Sequence, residues 1–112
     1  MSIRSLRYFI ALADCLNFTR AAERCSVTQS TLSIQLRKLE AYLGVTLFER
    51  DRTHVALTDE GRKVLRLAKV TVRAADRMVA VSRRASQHAG AAAVQTAEKL
   101  IEEINCEVTP HR

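Results

Sequence analysis

The side chains best suited to chemistry follow Thr28 in one stretch: Gln29, Ser30, Thr31, Ser33, Ile34, Arg37 and Lys38. Leu32, Leu36, Leu39 and Leu43 recur at i, i+4, i+7 and i+11, which defines one buried face of a helix. The opposite face carries Ser30, Ile34, Arg37 and Ala41, with Gln29, Ser33 and Lys38 on its flanks. Small polar donors at a helix start and cations further along suit a DNA major groove. Hydroxyls and helix N-terminal amides can meet phosphates there, while Gln and Arg can hydrogen-bond base edges. A second polar set, Arg50-Asp51-Arg52-Thr53-His54, lies between the apolar residues Val45, Leu47, Phe48 and Val55, Leu57. Two short strands around such a tip make a β-hairpin. A long cation on a thin hairpin can reach phosphates or enter a minor groove, and equally can keep a solvated edge from pairing. His54 reads as a solvent-exposed turn residue.

The elements that position these groups follow from caps and periodicity. Asn17 to Gly44 reads as a short helix, a tight turn and a longer helix, a helix-turn-helix. Thr19 is the expected cap of the short helix, and Ala21 and Ala22 are small enough for a second helix to cross closely. Ser26-Val27 makes the turn, with Val27 as a buried plug. Thr28 caps the longer helix and Gly44, tolerant of left-handed backbone, ends it. Ser5 to Leu16 forms an earlier helix whose Leu6, Phe9, Ile10 and Ala13 cover the back of this pair, and Phe18 packs against it. Arg4 and Arg7 are either phosphate contacts or part of a solvated face. Beside a helix-turn-helix, the hairpin is a wing.

Thr58-Asp59-Glu60 starts a further helix, a capping hydroxyl followed by two carboxylates in the positive first turn. No stop signal appears before Gly90, a run of roughly 43 Å at about 1.5 Å per residue. Leu65, Ala68, Val72, Ala75 and Val79 repeat with alternating steps of three and four, and Val64, Leu67, Thr71, Ala74, Met78 and Val81 form a parallel stripe. Such a helix is too long to be buried against a domain of this size. Its wide apolar face of small residues needs a partner, and the expected one is the same helix from a second copy.

The 112 residues carry a net charge of +6, distributed unevenly. Residues 1–90 hold 16 of the 18 Lys and Arg and 8 of the 12 Asp and Glu, a balance of +8, whereas residues 91–112 balance at −2. The basic portion therefore favours an anionic partner. Cys15, Cys25 and Cys106 are odd in number and lack metal-ligand spacing; Cys15 and Cys25, near helix ends, are expected as buried free thiols facing the core, with no metal site and no cofactor. No apolar run approaches a membrane span or a signal segment, which points to the cytoplasm. The three His are scattered and no phosphate-cradling Gly loop exists, so nothing supports an enzyme.

The motifs Leu6-x-x-Phe9, Asn17-Phe18-Thr19-x-Ala21-Ala22, Val27-Thr28-Gln29-Ser30-x-Leu32-Ser33, Leu39-Glu40, Leu43-Gly44, Leu47-Phe48-Glu49-Arg50 and Leu57-Thr58-x-x-Gly61 carry a resemblance. Residues 1–88 resemble the DNA-binding region of LysR-type transcriptional regulators. The resemblance implies a mainly α chain: a winged helix-turn-helix over residues 1–58 and a linker helix over 59–89 that dimerises antiparallel through Leu65, Ala68, Val72, Ala75 and Val79. It also implies that Gln29, Ser30, Ser33 and Arg37 face double-stranded DNA, with Arg50, Arg52 and Thr53 contributing from the wing. Within it, Thr28, Ser30 and Thr31 would meet phosphates, Gln29 and Arg37 would read base edges, and Lys38 would flank them. Ser30 stands where many members have Pro. Ile34 stands where many have a polar residue or Arg, and is either a contact to a thymine methyl or a stray exposed side chain.

Family members continue into a ligand-sensing domain of roughly two hundred residues, a size a single core supports; this chain ends at Arg112. Residues 90–112 read instead as a short, acidic amphipathic helix. Val94, Ala97, Leu100, Ile101 and Ile104 lie on one side, Glu98, Glu102 and Glu103 off it, and Asn105 and Pro110 mark its end. It could extend the linker helix through Gly90, fold back on it, seal a dimer seam, or be what a truncation leaves. No small-molecule effector site is visible. Two functions fit: a homodimeric, sequence-specific DNA-binding regulator acting on gapped, roughly palindromic sites, possible also as a higher oligomer, or an interaction protein forming mixed dimers with a full-length relative. The intact Gln29, Ser33, Arg37 and Arg50 set favours the first.

Overall fold

The computed structural model describes residues 1–107, with side chains described for residues 1–87 and 98–103. In chain order it contains α1 (Ile3–Cys15), α2 (Phe18–Arg24), α3 (Gln29–Leu43), β1 (Phe48–Arg50), β2 (Val55–Leu57) and α4 (Asp59–Glu107). The chain divides into two units, Met1–Ala75 and the residues from Asp76 onward.

Each boundary in the first unit has a local cause. α1 begins two residues before the expected start because Ser2 and Ser5 cap each other. Ser5 N–H donates to Ser2 Oγ at 3.1 Å and Ser2 N–H to Ser5 Oγ at 3.0 Å. The helix closes at Leu16, which takes a left-handed conformation with φ 47°. The expected cap of α2 is corrected here. Asn17, extended at φ −152°, accepts from Arg20 N–H through Oδ1 at 2.9 Å, so Thr19 falls inside the first turn. The turn after α2 is carried by Ser26 at φ 58°, whose N–H donates to the Glu23 carbonyl, while Val27 N–H donates to Ala22. Val27 is half-buried rather than sealed. α3 is bounded as expected. Thr28 Oγ1 accepts from Thr31 N–H at 3.1 Å, and Gly44 at φ 72° ends it with its N–H on the Glu40 carbonyl.

The core of this unit gathers one face of each helix. Leu32, Leu36 and Leu39 are fully buried and Leu43 partly so, as the leucine spacing requires. Ala21 and Ala22 are buried in this core, small enough for α2 to lie close to its neighbouring helices. Leu6, Phe9 and Leu12 supply α1's share, with Ile10 and Ala13 at the margin. Phe9 meets Phe48 edge-to-face, centroids 5.5 Å apart and planes at 80°, which ties α1 to the wing. The wing is the antiparallel pair β1–β2, registered Phe48 to Leu57, Glu49 to Ala56 and Arg50 to Val55.

The start of α4 completes the same core. Thr58 Oγ1 accepts from Gly61 N–H at 2.8 Å and donates to the Thr46 carbonyl at 2.6 Å, while Thr58 N–H donates to Leu47 O at 3.0 Å. Val64 and Leu65 pack at the margin and Ala68 and Val72 are buried, so the unit extends to Ala75, past the sequence-based boundary at residue 58. In the second unit the backbone is helical through Gly90 to Glu107. Of the two continuations open in sequence, extension is the one adopted. A lone Gly costs a helix about 1 kcal/mol without ending it, and here it is followed by the helix-favouring run Ala91-Ala92-Ala93. Leu100 and Ile101 are exposed. The side chains of Val94, Ala97 and Ile104, and the stop expected from Pro110, lie outside the described residues.

Candidate nucleic-acid interface

Two groups of polar side chains meet on the first unit. The first lies along the outer side of α3: Thr28, Ser30, Thr31, Arg37 and Lys38 are exposed, and Ile34 retains 50% of its accessible surface. Among the described residues no ion pair holds Arg37, Lys38 or Arg52. The hydroxyls at the helix start are partly committed. Thr28 Oγ1 donates to Thr31 Oγ1 at 3.0 Å, which leaves the Thr31 proton and the Ser30 hydroxyl to face outward.

The second group surrounds an open cleft of about 410 Å³ between the start of α2, the start of α3 and the wing. Gln29 and Ser33 line it from α3, Thr19 from α2, and Arg50, Arg52 and Thr53 from the wing. The structure therefore brings together five of the expected residues in this cleft and places Thr28, Ser30, Thr31, Ile34, Arg37 and Lys38 along the adjoining helix. Gln29 Nε2 donates to Thr19 Oγ1, which orients the amide plane while its carbonyl and second N–H make no described hydrogen bond.

The wing tip is built by one carboxylate. Asp51 Oδ1 accepts from Thr53 N–H at 2.8 Å and His54 N–H at 2.6 Å, and Thr53 Oγ1 lies 3.3 Å away. Those backbone donors, Thr53 first, hold the Asp51 carboxyl below the usual carboxylate range. The loop is an Asx turn that presents Arg52 and Thr53 outward, a pattern that Asp-x-Thr makes available in sequence. His54 is exposed, as expected.

Three residues that sequence reasoning did not assign to the site prove to organise it: Thr19, Asp51 and Glu40. Glu40 Oε1 accepts from Arg50 Nη2 at 3.0 Å, and its Oε2 accepts from Leu47 N–H at 2.7 Å. No periodicity marks this role, since the partners sit seven and ten residues away. Elsewhere, Cys15 and Cys25 are free and half-buried, and burial pushes the Cys25 thiol up. The dimer stripe expected on α4 is divided. Ala68 and Val72 are buried in the chain's own core and Leu65 is half-buried beside them, whereas Ala75 is half-buried and Val79 exposed. Among the described residues, no helix is long and apolar enough to cross a membrane.

Comparison with known proteins agrees with this geometry. The family profile of the bacterial regulatory helix-turn-helix protein, lysR family, matches residues 3–62. The chain is 54% identical over 61 residues to the Hca operon transcriptional activator HcaR of Escherichia coli, covering 54% of this chain and 21% of that protein. It is 44% identical over 86 residues to the HTH-type transcriptional regulator EstR of Acinetobacter baylyi, covering 77% and 29%. Its structure is similar to that of a CbnR_DBD–DNA complex, with a TM-score of 0.73 and 40% identity over 77% of this chain and 99% of that one. The chain thus spans about a fifth to a third of the length of these curated relatives. A match over more than half of its residues shows the family: the chain belongs to the lysR family of bacterial regulatory helix-turn-helix proteins.

Proposed function

We propose that the chain is a sequence-specific DNA-binding transcriptional regulator that acts as a dimer, with α3 in the major groove and the wing at the adjacent backbone or minor groove. The observation that carries this reading is the outer side of α3: a capped N-terminus bearing Ser30 and Thr31, followed by exposed Arg37 and Lys38 that no described residue neutralises. The likeness to a structure solved with DNA supports it. Thr28, Ser30 and Thr31, with the helix amides, bind phosphates; Lys38, Arg52 and Thr53 add backbone contacts. Gln29 and Arg37 read base edges, Gln suited to adenine and Arg to guanine, with Ser33 beside them and Ile34 against a thymine methyl.

Dimerisation uses the part of α4 that the first unit does not consume. Met78, Val79 and Val81 are exposed at 70%, 49% and 65%, more apolar surface than a solvated helix needs. Two-fold pairing through this face, with Ala75 at its edge, sets two recognition helices on gapped, roughly palindromic half-sites.

The test is fluorescence anisotropy of the full chain against a duplex selected from a random pool and a scrambled duplex, over a salt series. Preference for the selected duplex is expected at physiological salt. Arg37→Ala should weaken that binding by about 1–3 kcal/mol and relax specificity at about one base pair. Equal affinity for both duplexes, lost together as salt rises, would reduce the protein to a basic surface.

A further inference from the structure

Arg50 belongs by sequence to the wing's cations, yet its guanidinium is turned inward. Nη2 donates to Glu40 Oε1 at 3.0 Å, Cζ lies 5.3 Å from the centroid of the Phe18 ring, and only 25% of the side chain is exposed. Glu40 is more enclosed still, at 16%. Its second oxygen receives Leu47 N–H at 2.7 Å and Phe48 N–H at 3.4 Å. One carboxylate on the last turns of α3 therefore holds the first residues of the wing through two amides and its third strand residue through the guanidinium, with the first residue of α2 stacked on that guanidinium. A carboxylate in such a pocket leaves three donors unmet when removed, which makes the arrangement sensitive to either partner. Arg52, two residues on, is exposed and no described residue pairs with it.

Resting on the DNA-binding reading above, we propose that Glu40 and Arg50 are positioning residues: they hold the wing at a fixed angle to α3, which sets the register in which Gln29 and Arg37 read bases, while the exposed, long-armed Arg52 keeps its own backbone contact and Arg50 makes none. The distinction is measurable. Each neutralised phosphate contributes about 0.9 to the slope of log affinity against log salt. A residue that acts by positioning changes affinity and discrimination and leaves the slope alone.

Binding of the full chain to the selected and scrambled duplexes is measured over a salt series for Arg50→Gln, Arg52→Gln, Glu40→Gln and the double variant Glu40→Gln/Arg50→Gln. Arg50→Gln is expected to bind the selected duplex on the order of tenfold more weakly with an unchanged slope. Arg52→Gln is expected to lower the slope by about 0.9 for both duplexes. The double variant should be no worse than the worse single one, because both break the same pair. Without DNA, amide exchange at Leu47 and Phe48 should quicken in Glu40→Gln while the amides of α1 stay protected, showing an intact fold. A slope lowered by about 0.9 in Arg50→Gln, additive losses in the double variant, or unchanged exchange at Leu47 and Phe48 each overturns the proposal. Failure of the wild-type chain to prefer the selected duplex would defeat the DNA-binding reading instead, and the amide exchange would still decide the clamp.

Discussion

Gly61 shows how a single atom can govern a junction. A Cβ built there falls on the Leu47 carbonyl oxygen, inside van der Waals contact, and within 3.1 Å of Leu57 Cδ2. The carbonyl cannot withdraw, since it accepts from Thr58 N–H at 3.0 Å. Gly61→Ala should therefore destabilise the first unit by about 1–3 kcal/mol or more, read as a lowered thermal midpoint, even though alanine is the better helix former. A midpoint equal to or above that of the wild type would show that the junction relaxes freely. The motif Leu57-Thr58-x-x-Gly61 was visible in sequence, but the reason for its glycine was not, because the clash is with a residue fourteen positions earlier. Thr28 and Gly44 were legible because caps are local. Asn17 displaced Thr19 as a cap for an equally local reason: both residues can cap, and only the backbone angle at Asn17 decides between them.

Among the elements, the wing depends most visibly on charge. The Asp51 carboxyl has its pKa lowered by the Thr53 and His54 amides. A depressed folded-state value means that ionised Asp51 supports the tip fully above the ordinary carboxylate range, and that this support is lost as pH falls through the lower folded value. The Thr53 and His54 amide resonances are expected to hold steady at neutral pH and to shift together below about pH 4, a transition absent from Asp51→Ala. Resonances that stay fixed through that acid range would show that the Asp51 carboxylate does not order the tip. Helix positions, the leucine face of α3 and the hairpin were legible because each rests on local period or turn chemistry. The link from α3 to the wing was not, because Glu40 looks in sequence like any solvated residue between apolar neighbours.

For the molecule as a whole, α4 changes role along its length. Two adjacent apolar stripes were readable, but their assignment to a partner helix took no account of how much surface the first unit would claim for itself. Ala68 and Val72 belong to that unit, and Met78, Val79 and Val81 remain exposed. Val79→Glu should therefore shift the chain from dimer toward monomer in sedimentation equilibrium and weaken binding to a duplex carrying two half-sites more than to one carrying a single half-site. A fully dimeric Val79→Glu chain would place the seam on another face. The division of α4 also separates two kinds of event. A core closed by the chain's own Ala68 and Val72 forms in a first-order step, whereas pairing of copies is second-order and follows mass action. Under the proposed pairing, the thermal midpoint would rise with protein concentration from a floor set by the first unit's own residues, and dilution would lower it to that floor.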